Sequence, residues 1–213
     1  SANPAEGEFA DTPDQTTILS ALKLSGTTSK GLSVGLIQSV TANEFATISE
    51  PGGTERKTKV EPLTSYTVAR IQKGYNAGTT VVGGILTSVN RQINEPTLES
   101  LTSNAYTGGL DMLHRFHDKE YFVDARLIGS YVNGDNKSIT ELQESSARYY
   151  QRPDAGYVDY DTTLTSLSGY GGKFRIGKGA GGLWRYSSGV TWLSPGLELN
   201  DLGYMNTADQ VNQ

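Results

Sequence analysis

The chain has 213 residues, of which 36% are hydrophobic, and a formal net charge of −5 at pH 7. This acidic balance disfavours nucleic acid as a partner. The absence of cysteine excludes disulfides and thiolate metal sites. No apolar run reaches the roughly 18 residues of a membrane-spanning helix, so a helical membrane span is excluded as well.

Eight β-strands are predicted, because apolar side chains recur at every second position. They are Thr16–Gly26, Gly31–Phe45, Glu61–Tyr75, Thr79–Arg91, Asn104–Phe116, Tyr121–Val132, Thr162–Ile176 and Gly181–Ser194. Residues 1–15 are predicted to form a polar loop, and residues 195–213 an extracellular loop or the start of a further strand. The apolar face of the fourth strand is assigned to Val81, Gly83, Ile85, Thr87 and Val89.

The hairpin Asn104–Val132 carries the clearest pattern. One face of each strand is apolar and bounded by aromatic side chains, and the other face carries charge. Tyr106 to Phe116 is ten residues, and so is Tyr121 to Tyr131. At about 3.3 Å per residue and a tilt of about 40°, such strands span roughly 25 Å, which is the height of the apolar band of a transmembrane β-barrel. The predicted fold is therefore all-β, an antiparallel transmembrane β-barrel with about eight strands in this chain.

The connections alternate between short turns and long polar segments. The long ones are Ala46–Val60, Gln92–Ser103 and Gly134–Asp161, and part of the last, Ile139–Tyr150, is predicted to extend the strands as a hairpin. Outer-membrane barrels have short periplasmic turns and long extracellular loops. With the short turns in the periplasm, both ends of the chain lie outside the cell, whereas a complete barrel normally begins and ends in the periplasm. We therefore expect an internal part of a larger barrel.

Two sets of side chains are assigned to the two faces of the barrel wall. The aromatic side chains expected at the lipid interface are Tyr106, Phe116, Tyr121, Tyr131, Trp184 and Trp192. The charged side chains expected to face the lumen are Lys23, Arg70, Asp111, Arg115, Asp124, Arg126, Lys173, Arg175 and Arg185. Their positive excess predicts a lumen that favours anionic or polar solutes, unless acids elsewhere in the barrel or in a plug neutralise it.

Motifs that suggest catalysis or metal binding lack the context they need. Gly31–Gly35 matches G-x-S-x-G, but the strand alternation continues through Val40, and no helix follows. Asp111 and Asp124 lie beside Arg115 and Arg126, which favours a ladder of ion pairs over paired catalytic carboxylates. We therefore expect no enzyme activity, no metal and no cofactor.

Several runs of the chain resemble an uncharacterised family: the C-terminal β-barrel domain that follows a carbohydrate-binding family 9-like domain in Gram-negative outer-membrane proteins. The runs are Thr16–Gly26, Gly31–Gly35, Val60–Pro62, Gly109–Asp111, Ser145–Asp154 and Ser194–Met205, and the last two are the most specific. The resemblance implies a β-rich outer-membrane domain and a sugar-binding module outside this chain, but no catalytic residues.

The sequence therefore predicts a segment of a barrel in the bacterial outer membrane, forming a pore or transport wall for polar solutes. Its expected partners are outer-membrane lipid and the remainder of the parent chain. The alternative is a cell-surface glycan-binding module that uses the long loops. Clustered aromatic side chains on those loops would favour that alternative.

Overall fold

The computed structural model describes residues 4–154 and 156–212. It contains twelve strands, β1 to β12, one α-helix, α1, and two short 3-10 helices at Asn76–Gly78 and Pro96–Leu98. In chain order the strands and α1 are β1 Phe9–Asp11, β2 Ile18–Thr27, β3 Leu32–Thr41, β4 Glu44–Ser49, β5 Glu55–Glu61, β6 Thr64–Tyr75, β7 Thr80–Arg91, β8 Thr102–Phe116, β9 Tyr121–Gly134, α1 Asn136–Glu144, β10 Ser166–Lys178, β11 Tyr186–Leu193 and β12 Gln210–Asn212. Within the described ranges, no helix is both long enough and apolar enough to cross a membrane.

The strands form two antiparallel sheets. The larger sheet has nine strands in the order β12-β11-β10-β9-β8-β7-β6-β3-β2, and the smaller sheet has the order β1-β4-β5. All eight predicted strands lie in the larger sheet, so the prediction of an all-β antiparallel fold is confirmed. In the part of the chain that the structure describes, this sheet is open, with β2 and β12 at its edges.

One face of the nine-stranded sheet, here called the apolar face, is almost free of charge. Cross-strand pairing puts Leu110 opposite Leu127 and Tyr106 opposite Tyr131 on this face. Among the described strands, its charged members are the two lysines Lys73 and Lys178, both near the ends of their strands. Its other large apolar members include Leu22, Leu24, Leu32, Val34, Leu36, Val40, Ile71, Tyr75, Val82, Leu86, Met112, Phe116, Tyr121, Val123, Tyr170, Phe174, Ile176, Tyr186, Val190, Trp192 and Val211.

The opposite face, here called the charged face, holds the ionised side chains. Pairing aligns Gly83, Asp111, Arg126 and Lys173 in one row across β7 to β10. The register also corrects the assignment of the fourth predicted strand. Val81, Gly83, Ile85, Thr87 and Val89 lie on the charged face, whereas Val82, Gly84 and Leu86 lie on the apolar face. Both sets alternate with similar hydrophobicity, so the sequence could not distinguish them without the neighbouring strands.

The short and long connections lie at opposite ends of the nine-stranded sheet. At the turn end, residues 117–120 reverse the chain with positive φ angles at His117, Asp118 and Lys119. At the loop end, the prediction of a polar loop over Ala46–Val60 is wrong, because residues 42–63 are structured. They contain the hairpin of β4 and β5, which buries Ala46 and Ile48 and pairs with β1. Only these two apolar residues alternate in β4, and the next strand, β5, is rich in charged residues, so the sequence pattern did not indicate a hairpin here.

The prediction of a polar loop over residues 1–15 also needs correction, because β1 lies within it. The hairpin predicted over Ile139–Tyr150 is wrong, since α1 occupies most of this segment. Asp135 caps the helix by accepting a hydrogen bond from the backbone N–H of Lys137 at 3.0 Å. Ile139 and Leu142, three positions apart, then lie on one side of the helix and pack on the sheet.

Two connections at the loop end, those between β9 and β10 and between β11 and β12, fold back onto the charged face instead of projecting away from the sheet. We call residues 135–154, 156–165 and 194–209 the cap. Ile139 and Tyr150 of the cap pack against Val89, Ala105 and Val132 of the charged face. A second cluster joins the cap residues Leu197, Met205 and Ala208 to Ile128 and Leu193 of the same face. The cap therefore covers the loop end of the charged face.

Close contact between the cap and β10 depends on glycine. A Cβ atom at Gly169 would overlap the backbone of Gly196 and Leu197. We expect Gly169→Ala to destabilise the cap by about 1–3 kcal/mol, because the cap backbone must move to avoid the added methyl group. Urea unfolding followed by circular dichroism would measure this. Gly35→Ala on β3 is the matched control, since its added Cβ has no atom within 4 Å, and an equal loss in both variants would contradict the packing argument.

The charged face and its cap

Arg70 and Asp111 form the first ion pair of the charged face. The two residues lie on β6 and β8, separated by β7, and the guanidinium reaches over Gly83 to the carboxylate. Arg70 Nη2 donates to Asp111 Oδ2 at 2.9 Å, and Nη1 donates to Oδ1. This fork geometry satisfies both oxygens of the carboxylate. The sequence placed Arg115 and Arg126 beside the two carboxylates, whereas the structure pairs Asp111 with Arg70, two strands away in the sheet.

Asp124 is the second carboxylate of this face and is 4% exposed. Arg126 Nε and Nη2 donate to its two oxygens at 3.1 and 3.2 Å, as the neighbouring positions predicted. Arg175 of β10 approaches the same carboxylate at 3.5 Å. Two guanidinium groups therefore share one carboxylate, and Asp124 neutralises only one of them.

The charged face as a whole has an excess of cations. Eight of the nine residues predicted to face the lumen lie on it: Lys23, Arg70, Asp111, Arg115, Asp124, Arg126, Lys173 and Arg175. Six of them are positive and two are negative. The ninth, Arg185, precedes β11. The face is thus cationic although the chain is acidic overall.

A cavity of about 470 Å³ lies among these side chains. Arg115, Phe122, Arg126 and Arg175 line it, together with Asp111 and Asp124. The Arg175 guanidinium lies 5.0 Å from the centre of the Phe122 ring, within the range of a cation–π contact. Strand alternation puts Phe122 on the same face as Asp124. Its contact with Arg175 depends on the pairing of β9 with β10, in which Phe122 lies opposite Gly177 and Asp124 opposite Arg175.

A buried ion pair holds the cap together. Arg148 Nη2 lies 2.6 Å from Glu198 Oε2, and their side chains are 1% and 3% exposed. The same guanidinium donates to the Leu197 carbonyl, and the backbone N–H of Glu198 donates to Ser130 Oγ of β9 at 2.9 Å. Arg148 and Glu198 belong to the two runs that carry the most specific resemblance. The structure brings these runs together although about fifty residues separate them.

A second ion pair ties the cap to β7 and β8. Arg91 Nη1 lies 2.7 Å from Asp201 Oδ1 and also donates to the Thr102 hydroxyl at 2.8 Å. A cavity of about 440 Å³ opens between these residues and the Arg148–Glu198 pair. Its lining is rich in hydroxyl and amide groups: Ser100, Thr102, Ser145, Ser146, Asn200 and Asn206. The residues of this cavity come from four separate segments, so no local pattern in the sequence indicates it.

Tyr150 links the cap to the sheet through its ring. It is 7% exposed and packs in the cluster with Val132 and Leu167. Burial raises the pKa of its phenol, and the positive charge of Arg148 partly opposes this shift. The folded state therefore favours the neutral phenol, and this contribution to stability is lost as the pH rises above the ordinary range of tyrosine.

The apolar face is bounded by aromatic side chains at the turn end. Phe116 stacks on Tyr121 at 5.7 Å between ring centroids. Lys178 lies 5.4 Å from the ring of Tyr121, and Lys73 lies 5.8 Å from the ring of Tyr75. At the loop end, Tyr106 pairs with Tyr131. The four aromatic residues of the central hairpin thus occupy the two ends of the apolar face.

The two tryptophans do not lie at the aromatic ends of the apolar face, where they were predicted. Trp192 stands on the apolar face opposite Gly172, in the row of Leu127 and Leu110, between the two aromatic ends. Trp184 precedes β11 and is 82% exposed. The strand predicted over Gly181–Ser194 begins only at Tyr186, because Gly181 and Gly182 adopt positive φ angles that interrupt extended pairing.

The whole chain, residues 1–213, matches a family described as Domain of unknown function (DUF5916). The chain belongs to this family. The expectation of an uncharacterised domain is confirmed, whereas its association with a carbohydrate-binding family 9-like domain stays a prediction. No curated protein and no solved structure matches the DUF5916 chain.

Proposed function

We propose that the nine-stranded sheet forms part of the wall of a β-barrel in a bacterial outer membrane, with the apolar face toward lipid and the charged face toward a water-filled lumen. The observation that carries the proposal is the separation of the two faces. Leu110 and Leu127 at the centre of the apolar face are 66% and 57% exposed, so nothing in the described chain covers them. Exposed apolar surface of this extent needs a partner, and lipid fits because the aromatic ends and terminal lysines match a membrane interface.

The position of the cap supports the same assignment of the two faces to lipid and lumen. A soluble sheet with one covered face usually covers its most apolar face. Here the cap packs on the face with the charged groups and leaves the apolar face open. That arrangement is expected of a barrel in which inward-folded connections narrow the lumen. The lumen would then admit small polar solutes along the cationic wall.

In the described chain, the nine-stranded sheet has two open edges, at β2 and β12, which must be paired in a barrel. An unpaired strand edge within lipid leaves backbone N–H and C=O groups without partners, which costs several kcal/mol for each group. Every residue of β2 is exposed. The barrel therefore requires β2 and the opposite edge to pair with further strands, and the remainder of the parent chain is the partner that we expect.

Quenching by lipid tests the assignment of faces. In the Trp184→Phe variant, Trp192 is the remaining tryptophan, and we expect lipids brominated in their acyl chains to quench its fluorescence strongly, because it stands on the apolar face. The matched control moves the single tryptophan to the charged face with Trp184→Phe, Trp192→Phe and Ile37→Trp. Its fluorescence should respond to aqueous iodide instead. Equal responses of the two variants to brominated lipid would reject the membrane assignment.

The second candidate function is glycan binding at the loop end. The exposed tyrosines of the cap favour it, since Tyr149, Tyr157 and Tyr204 are 53%, 66% and 82% exposed, and flat aromatic rings commonly stack on sugars. The hydroxyl-rich cavity beside Arg91 and Asp201 offers further polar partners. The predicted neighbouring carbohydrate-binding domain belongs to this candidate. Heat released on titration with neutral oligosaccharides, with no lipid quenching of Trp192, would favour it over the barrel.

A further inference from the structure

We propose that the cavity lined by Arg115, Phe122, Arg126 and Arg175 is a binding site for the oxyanion group, carboxylate or phosphate, of a small solute. This inference deepens the proposed function by naming the class of solute, and it rests on that function only in placing the cavity inside a pore.

The ion pairs of the charged face leave positive charge at this cavity. Asp111 is held by both terminal nitrogens of Arg70. Asp124 accepts two hydrogen bonds from Arg126 and a longer one from Arg175. The cavity therefore contains more guanidinium groups than its two carboxylates neutralise, and an anion supplies the missing charge.

Two arginines keep donors available to such an anion. The side chain of Arg115 makes one long hydrogen bond, 3.5 Å from Nη1 to the Gly78 carbonyl. Arg175 makes a similarly long hydrogen bond, 3.5 Å from Nη2 to Asp124 Oδ2, and its side chain is 43% exposed. A guanidinium presents several N–H groups in a planar fork that matches the oxygens of carboxylate or phosphate, so each of these side chains can bind an oxyanion at two points.

The cavity also has the size and an apolar wall that suit a small organic solute. Its volume of about 470 Å³ falls within the range of about 300–1,000 Å³ that is usual for small-molecule pockets. Phe122 forms an apolar wall under Arg175, which suits an organic anion better than a bare inorganic ion. Asp124 at the base fixes Arg126 and Arg175 in place, so the guanidinium groups are ordered before the anion arrives.

Calorimetric titration of the folded chain in detergent, at low ionic strength, tests the site. The probes are inorganic phosphate and benzoate, with glucose and choline as neutral and cationic controls. We expect both anions to bind and both controls to give no heat. Tighter binding of benzoate than of phosphate would assign the site to organic carboxylates, and the reverse order would assign it to phosphate groups. If neither anion bound, the proposal would be overturned.

Variants decide whether these residues hold the anion. Arg115→Gln removes one positive charge at a side chain with a single long contact, so the fold should persist, and we expect anion affinity to fall about tenfold. Lys23→Gln removes the same charge from the same face on β2, and it should leave affinity unchanged. Equal losses in both variants would show general attraction and overturn the site. Arg175→Lys keeps the charge but loses the planar fork of N–H donors, so we expect a loss of anion affinity smaller than that of Arg115→Gln.

The outcome is separable from that of the membrane proposal. Anion binding with no lipid quenching of Trp192 would retain the site and reject the barrel. Lipid quenching with no anion binding would retain the barrel and reject the site.

Discussion

Leu110→Arg is expected to destabilise the protein in a lipid bilayer by about 2–4 kcal/mol, the cost of placing an arginine at the lipid-facing midplane of a barrel. Leu110 stands midway along β8, opposite Leu127 and between the aromatic ends of the apolar face. It is 66% exposed, so few protein contacts are lost on substitution. In water the same change at such an exposed site would alter stability by only about 0.5 kcal/mol. The loss therefore measures contact with lipid.

Ile37→Arg is the matched control. Ile37 is 49% exposed and lies on the charged face of β3, beside Lys23. The substitution is again from an aliphatic side chain to arginine, but the new guanidinium would face the lumen of the proposed barrel, where water can solvate it. Urea unfolding from phospholipid vesicles would compare the two variants with the parent chain. If the two free energies of unfolding agreed within error, the apolar face would not be the lipid-facing one.

Glu198→Gln is expected to cost about 3–5 kcal/mol, because it leaves Arg148 charged and buried without its ionic partner. The pair is almost inaccessible to solvent, and Glu198 also joins the cap to β9 through Ser130. We expect the cap to detach before the nine-stranded sheet unfolds, since the strand pairing does not depend on this carboxylate. Limited proteolysis of the cap, followed alongside circular dichroism of the strands, would separate the two events.

Asp154→Asn serves as the control for this prediction within the same cap. Asp154 lies 3.7 Å from Arg152, and its side chain is 87% exposed, so solvent screens the pair. Its loss should not measurably change cap stability. The double variant Arg148→Met, Glu198→Leu should recover part of the stability lost in Glu198→Gln, because it removes both buried charges. Without such recovery, the pair would not be the source of the loss.

Removal of the cap would also bear on transport. In the proposed barrel, the cap narrows the lumen at the loop end, and the cationic cavity lies on the open part of the charged face. Glu198→Gln should therefore enlarge passage through the barrel, whereas Arg115→Gln should change its selectivity. If both variants lowered stability but changed neither passage nor selectivity, this prediction would be wrong.

The sequence was sufficient for features that depend on alternation along one strand. It predicted all eight of the strands β2, β3 and β6 to β11, and it placed Arg70, Arg126 and Arg175 opposite the apolar side chains. Side-chain direction in a strand follows from the period of two, so no distant contact was needed. The alternation assigned the wrong face in β7, where both faces have similar hydrophobicity, and it did not reveal the short strands β1, β4 and β5.

Only the tertiary structure decided how distant segments meet. It paired Asp111 with Arg70 across β7, and it brought Arg148 to Glu198 in the cap. It also turned the segment after Asp135 into a helix that packs on the charged face, where the sequence had suggested a projecting hairpin. Partner choice depends on strand order and on burial against other segments, which local propensity does not encode. The strands of the amphipathic sheet were thus determined largely by the sequence alone, and the cap and cationic cavity by the packing of its connections and strands.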